Sequence, residues 1–251
     1  MVRPDEVWKT ATLAQNFLEG VRSAIPLAAE QLEMMLRVIQ MVRPNVKNFL
    51  DLGCGDGVLG QAILQRHPQT RGTFLDFSPT MLEAAQQKVR FADDAASNGA
   101  IQFFSGDFGT PNWLDLVQSE MPFDVIVSGF SIHHQPDSRK QELYREIYQL
   151  LSPGGVFLNL EHVASQSKLG ETLFDQLFVD SLYVYHQRLG NSNSREEIDQ
   201  QYYNRADKTA NILTAVELQC DWLRQIGFQD VDCFMKLFEI ALFGGVKPLA
   251  I

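Results

Sequence analysis

The chain has 251 residues, 45% of them hydrophobic and 21% charged, with a formal net charge of −10. That length suits one α/β domain with additions, and the composition can bury a full core without disulfides or metals. The acidic balance argues against non-specific binding to a nucleic-acid backbone, which needs concentrated Lys and Arg.

The three cysteines, Cys54, Cys220 and Cys233, form no Cys-x-x-Cys pair. Neither a disulfide framework nor a zinc knuckle is expected, and a reducing cytoplasm is the natural compartment. The leading MVRPDEVWKT lacks the apolar core of a signal peptide, and no run of about 18 apolar residues is present to span a membrane.

Residues 5–42 read as two helices. The first carries Trp8, Ala11, Ala14, Phe17, Leu18 and Val21, and the second Ala28, Leu32, Met35, Leu36 and Ile39, all on helical spacing. Pro44 closes the segment. Strand and helix signals then alternate. Phe49–Leu52 is a strand and Val58–Arg66 a helix. Thr73–Phe77 is the second strand, followed by a helix with Ser78 as N-cap and Pro79 at its first position. Ile101–Phe104 and Phe123–Ser128 are the third and fourth strands. A helix over Arg139–Leu151 opens with a capping-box pattern at Ser138 and Gln141. Ser152-Pro153-Gly154-Gly155 ends it, and Val156–Leu160 is the fifth strand. This rhythm makes a parallel sheet with right-handed crossovers the default.

Residues 162–211 break the rhythm with a helical, tyrosine-rich stretch that loops at 190–194. An insertion of that length is expected to be a lid or an oligomer contact. Thr214 and Glu217 form a second capping box, Gly227 ends that helix, and Val231–Phe234 with Phe238–Phe243 read as a closing hairpin.

The densest signal is NFLDLGCGDGVLG over 48–60, a strand running into a glycine turn that opens a helix. Such a turn lets backbone N–H groups approach a ligand with no Cβ in the way. Two cofactor codes fit it. Gly55, Gly57 and Gly60 satisfy G-x-G-x-x-G, and Asp51, Gly53, Gly55 and Gly57 satisfy D-x-G-x-G-x-G. Asp76, near the end of the second strand, suits a ribose diol under either code.

Further along come Ser105-Gly106-Asp107-Phe108 after the third strand, FDVIVS as the fourth, and LSPGG before the fifth. This ordered set, over roughly Val46 to Glu161, resembles the class I S-adenosylmethionine-dependent methyltransferases. The resemblance implies an α/β, Rossmann-like fold. It has a seven-stranded, mostly parallel sheet with an antiparallel last strand and helices on both faces. Residues 45–161 and 212–251 would form the cofactor domain, with a cap at 1–44 and the insertion at 162–211.

It also implies roles. Gly53, Cys54 and Gly55 would lie against the methionine part of S-adenosyl-L-methionine, with Asp51 near its amino group. Asp76 would bind the ribose, Phe77 and Met81 would cover the adenine, and Asp107 with Phe108 would fix its amino edge. Ser128 and Gly129 would line the passage to the methyl group, and S-adenosyl-L-homocysteine would be the product. Each has a plainer alternative: Asp51 as a cap of the turn, Asp107 as a turn residue, Cys54 as a small buried side chain. A sulfonium cation suits carboxylates and aromatic faces, and the absence of phosphate explains why no Lys ends the loop.

His133 and His134, just after the fourth strand, are the candidate general bases, with a helix-start role as the alternative. No Asp/Asn set stands out as a metal site. No Asn-Pro-Pro-Tyr or Pro-Cys follows the fourth strand, so the expected acceptor is a small molecule rather than nucleic acid. Two other readings stay open. One is an enzyme that modifies the sulfonium compound itself, as carboxy-S-adenosylmethionine synthases do, using Arg188 or Arg205. The other is a non-catalytic cofactor-binding subunit. A homodimer is also left open.

Overall fold

The sheet is built from β1 (Asn48–Leu52), β2 (Arg71–Asp76), β3 (Ile101–Ser105), β4 (Phe123–Gly129), β5 (Leu151–His162), β6 (Gln229–Leu237) and β7 (Ile240–Val246). The computed structural model describes residues 3–16, 18, 24–92, 101–205, 208 and 210–250. Strand order is β3-β2-β1-β4-β5-β7-β6. The first five strands pair in parallel, and β7 runs antiparallel to both β5 and β6. This is the expected Rossmann-like sheet. The chain steps to opposite sides of β1 for β2 and β4, so the crevice at their carboxyl ends is a topological switch point.

Successive side chains of a strand face opposite ways, and both faces here are covered. On one face Ile126 and Phe157 pack with Trp113 of α5 (Trp113–Val117), with Leu143, Tyr144 and Ile147 of α6 (Asp137–Leu150), and with Trp222 and Leu223 of α9 (Val216–Ile226). On the other, Val125, Val127 and Leu158 meet Met35 and Ile39 of α2 (Ala28–Val42), Leu59 and Ile63 of α3 (Val58–Arg66), and Leu82 and Ala85 of α4 (Pro79–Ala92). Burying each such side chain contributes about 1.5–3 kcal/mol. A third, smaller cluster holds Val179 and Leu182 of α7 (Lys168–Arg188) against Ile198 and Tyr202 of α8 (Arg195–Tyr203).

Several local expectations change. The first N-terminal helix is interrupted: residues 4–9 form a 3-10 turn, Thr10 takes extended backbone, and only then does α1 (Ala11–Asn16) begin. Phe17 and Val21 lie outside the described residues. Helix α6 starts at Asp137, two residues before the predicted Arg139, with Pro136 as N-cap and no side-chain cap, so Ser138 falls inside the helix. Lys140 is buried and donates to Asp137 Oδ1 (3.0 Å), Thr214 Oγ1 (2.6 Å) and the Ile212 carbonyl (2.5 Å). Thr214 is thereby taken from its own predicted box, and Ala215 is the N-cap of α9.

Ser78 precedes Pro79 as expected, yet its hydroxyl is buried with no hydrogen-bond partner among the described residues. The Pro153-Gly154-Gly155 stretch lies inside β5 rather than before it, with a register shift and Gly154 at φ +73. In the insertion, Ser194 and Glu197 form a complete capping box for α8 that the sequence reading did not identify.

Candidate active site

The glycine turn follows β1 and is tied to β2, since Gly53 N and Cys54 N both donate to Leu75 O (2.8 and 3.0 Å). Gly53 has φ +66, and a Cβ there would collide with the Ser131 hydroxyl and the Phe108 ring. Gly55 has φ +53, but a Cβ there would meet nothing, because its backbone faces open space. The first glycine is needed for packing and the second for access.

Two carboxylates brace the turn. Asp51 Oδ2 accepts from Gly60 N (2.8 Å), fixing the first turn of α3. Asp76 Oδ2 accepts from Gly55 N and Oδ1 from Ser78 N, each at 2.8 Å. Burial pushes the Asp76 carboxyl up to about 6, against the lowering effect of those amides.

A cavity of about 820 Å³ opens from this turn toward the insertion. Asp51, Gly53, Cys54, Gly55, Asp76, Phe77, Met81, Gly129, His133 and His134 all line it. Three expected residues do not. Ser128 is buried and donates to Leu52 O (2.7 Å). Phe108 sits beneath Gly53, its carbonyl held by Arg139 (3.0 and 2.8 Å). Asp107 is paired with Arg3 and accepts from Gly109 N (2.9 Å). The Cys54 thiol is pushed well up by burial and by Asp76, Asp51 and Asp56, which disfavours a nucleophilic thiolate.

The histidines follow β4 on a 3-10 turn, Ile132–His134. Glu161 of β5 organises them. Its Oε2 accepts from His133 N (3.0 Å), and its Oε1 lies 2.5 Å from His133 Nδ1 and accepts from His162 N (2.8 Å). The network assigns the His133 proton to Nδ1, leaving Nε2 as the acceptor. Burial, then the charge of His162, holds the His133 imidazole well below its usual range, so it is neutral near pH 7. Burial, opposed by its hydrogen bonds, raises Glu161. His134 Nδ1 lies 3.1 Å from Ala210 O, and its ring stands 3.9 Å from that of His133 and 5.7 Å from that of Trp8. Its pKa is also held well down by burial.

Beyond the histidines the walls are aromatic and aliphatic: Trp8, Phe130, Phe174, Phe178, Leu182 and Tyr202. Phe130 takes φ +51 directly after β4, a strained conformation of the kind that gathers at functional sites. Arg205 lines the cavity with its guanidinium 4.2 Å from the Tyr202 ring centroid, whereas Arg188 does not line it. Sequence reasoning gave no role to Glu161, Trp8 or Phe130. For Glu161 the signal was an acidic residue closing an otherwise apolar strand. Among the described residues no three His, Cys, Asp or Glu side chains are grouped to hold a metal.

Residues 50–157 match the family model for a methyltransferase domain. Over those residues the chain is similar to methyltransferase domains, and its fold is shared with solved S-adenosylmethionine-dependent methyltransferases. It is 29% identical to malonyl-[acyl-carrier protein] O-methyltransferase 1 of Ilyobacter polytropus over 143 residues, covering 56% of this chain and 48% of the relative. It is 21% identical to carboxy-S-adenosyl-L-methionine synthase of Nautilia profundicola over 237 residues, covering 94% and 92%. Human N-acetylserotonin methyltransferase, solved with S-adenosylmethionine, shares the fold at a TM-score of 0.60 and 16% identity, covering 96% of this chain and 58% of that one. The chain thus spans about half the length of the first of these relatives.

The site suits S-adenosylmethionine on its own terms. The open space at Gly55 would admit a ligand against the backbone, the carboxylates of Asp51 and Asp76 line the cavity where they would suit a cation, and the Ser78 hydroxyl, without a partner among the described residues, lies on the cavity.

Proposed function

We propose that the enzyme methylates a hydroxyl of a small, largely apolar acceptor, with His133 as the general base. The observation that carries this is the His133–Glu161 pair, in which a buried carboxylate orients a neutral imidazole on the cavity wall. S-Adenosylmethionine supplies an electrophilic methyl group. Gly53 to Gly55, Asp51 and Asp76 would hold its amino-acid and ribose parts, and Phe77, Met81 and Asp107 its adenine. Ser128 and Phe108 support the turn from behind. His133 Nε2 takes the hydroxyl proton as the acceptor oxygen attacks, and Glu161 stabilises the imidazolium that results. The aromatic walls exclude water and align the acceptor, which is where much of the acceleration of an in-line displacement arises.

Residues 1–44 and 162–211 act as the lid, a reading supported by Trp8, Leu13 and Ile25 of the first and Phe174, Phe178 and Tyr202 of the second, which all line the cavity. A reducing cytoplasm suits the three free cysteines. Among the described residues no helix is long and apolar enough to cross a membrane.

A second reading, chemistry on the cofactor's own sulfonium group, draws support from the end-to-end match to a carboxy-S-adenosyl-L-methionine synthase and from Arg205 on the cavity wall. One experiment separates the two. The protein is incubated with methyl-labelled S-adenosylmethionine and a pool of hydroxylated metabolites, and products are followed by mass spectrometry. Label appearing on a small molecule, at a rate that His133→Gln lowers by roughly 10²–10⁴-fold, supports methyl transfer. Label retained on a heavier sulfonium compound supports the second reading, and no product of either kind sinks both.

A further inference from the structure

The segment before α1 crosses the adenine end of the cavity. Arg3 pairs with Asp107, and its Nε lies 3.2 Å from Asp5 Oδ1. Asp5 is buried, and its other oxygen accepts from Gln135 Nε2 at 2.9 Å. Lys9 Nζ stands 4.0 Å from Asp107 and 5.5 Å from the centre of the Phe77 ring. Between them, Trp8 lines the cavity beside His134. One short turn therefore touches Asp107 and Phe77 at one end of the site and a histidine of the acceptor pocket at the other.

We propose that Arg3 is a positioning residue: it holds Asp107 until the cofactor's adenine amino group displaces it, and Trp8 carries that exchange to the acceptor pocket. The proposal rests on the reading of Asp107 as the adenine partner. Three observations carry it. Asp107 is the one expected polar contact to the adenine, and it points at Arg3 instead of lining the cavity. Both members of that pair are partly exposed, so the pair is weak and can be displaced. Arg3 also retains Asp5, so its release from Asp107 strands no buried charge, and the buried Asp5 keeps the guanidinium close enough to return. Because Trp8 lies three residues from Asp5 on the same 3-10 turn, movement of Arg3 shifts the wall beside His134.

S-Adenosylhomocysteine is the probe, with affinity read by calorimetry and strap position by tryptophan emission. Trp113 and Trp222 are buried in the core, and Trp8→Phe measures their contribution. Arg3→Gln is expected to bind S-adenosylhomocysteine tighter, by up to about fivefold, since a competitor is gone. Its ligand-free emission should already resemble that of the liganded wild type. Asp107→Asn, which loosens Arg3 without touching Asp5 and keeps an acceptor oxygen, should move in the same direction. Trp8→Phe should abolish the emission change and leave binding intact.

Simple loss of structure would weaken binding, so unchanged or weaker affinity in both Arg3→Gln and Asp107→Asn overturns the latch. A full emission change in Trp8→Phe overturns the role of Trp8. Asp107→Ala tells the two layers apart. If it leaves affinity unchanged, the adenine assignment of Asp107 fails and the latch with it. If it weakens binding while Arg3→Gln does not tighten it, the latch alone fails.

Discussion

Asp76 illustrates how much one side chain can carry. Two backbone amides hold it at the end of β2, and it faces the cavity from there. Replacing it with alanine should weaken S-adenosylhomocysteine binding by about 1–3 kcal/mol, the cost of leaving hydroxyl partners unmatched. Wild-type affinity in a titration of that variant would show that the ribose lies elsewhere. Asp51 and Asp76 were legible in the sequence because one stands two residues before a glycine turn and the other closes an apolar strand, both purely local patterns. Glu161 was not legible as the partner of His133, since their meeting depends on the β4–β5 register, which pairs Gly129 with Leu160. The predicted cap at Thr214 failed for a related reason: Lys140 offers Thr214 a buried cation, and a charge-assisted bond outcompetes a local cap.

Among the elements, α7 and α8 are the most separable. They pack on each other and on Ala24 through Val179, Leu182, Ile198 and Tyr202, and of their buried side chains only Phe174 joins a cluster that covers the sheet. Removing residues 167–205 should therefore leave cofactor binding and abolish acceptor binding. Loss of S-adenosylhomocysteine affinity in the truncated protein would mean that the segment is core. Element type in this region was readable from helical spacing. The placement of Phe174, Phe178 and Tyr202 on the cavity was not, because a tyrosine-rich helix packs or lines a pocket with the same periodicity. The break at Thr10 was hidden as well, since Trp8, Ala11 and Ala14 keep helical spacing on either side of it.

For the molecule as a whole, the proposed ribose role of Asp76 would link cofactor binding to pH. Its pKa rises from 3.8 to about 6 on folding. In that window the folded protein holds the extra proton, so the unliganded protein loses this group's stabilisation as pH rises toward 6. Ribose hydroxyls would donate to the ionised form, so ligand binding should follow the opposite course and weaken as pH falls through 6. At about 100 times its Kd, S-adenosylhomocysteine should add about 2.7 kcal/mol near neutral pH, a rise in Tm of roughly 5–11 °C. Thermal melts at about pH 7.5 and about pH 5, with the ligand concentration fixed, should give a clearly smaller rise at the lower pH. An equal rise would remove Asp76 from the linkage.

The neck of the insertion has a consequence of another kind. Ala164 N donates to Thr214 O (3.1 Å) and Ile212 N to His133 O (2.8 Å), so the segment leaves and rejoins the sheet through a closed backbone collar. His133 and Glu161, the proposed base and its carboxylate, lie outside the segment that the collar closes, whereas Phe174, Phe178 and Tyr202 of the pocket wall lie within it. Exchanging that segment for another helical pair would alter which molecules are admitted while leaving intact the means of reacting with them. Selection can therefore act on recognition and on reactivity as separate traits within one chain.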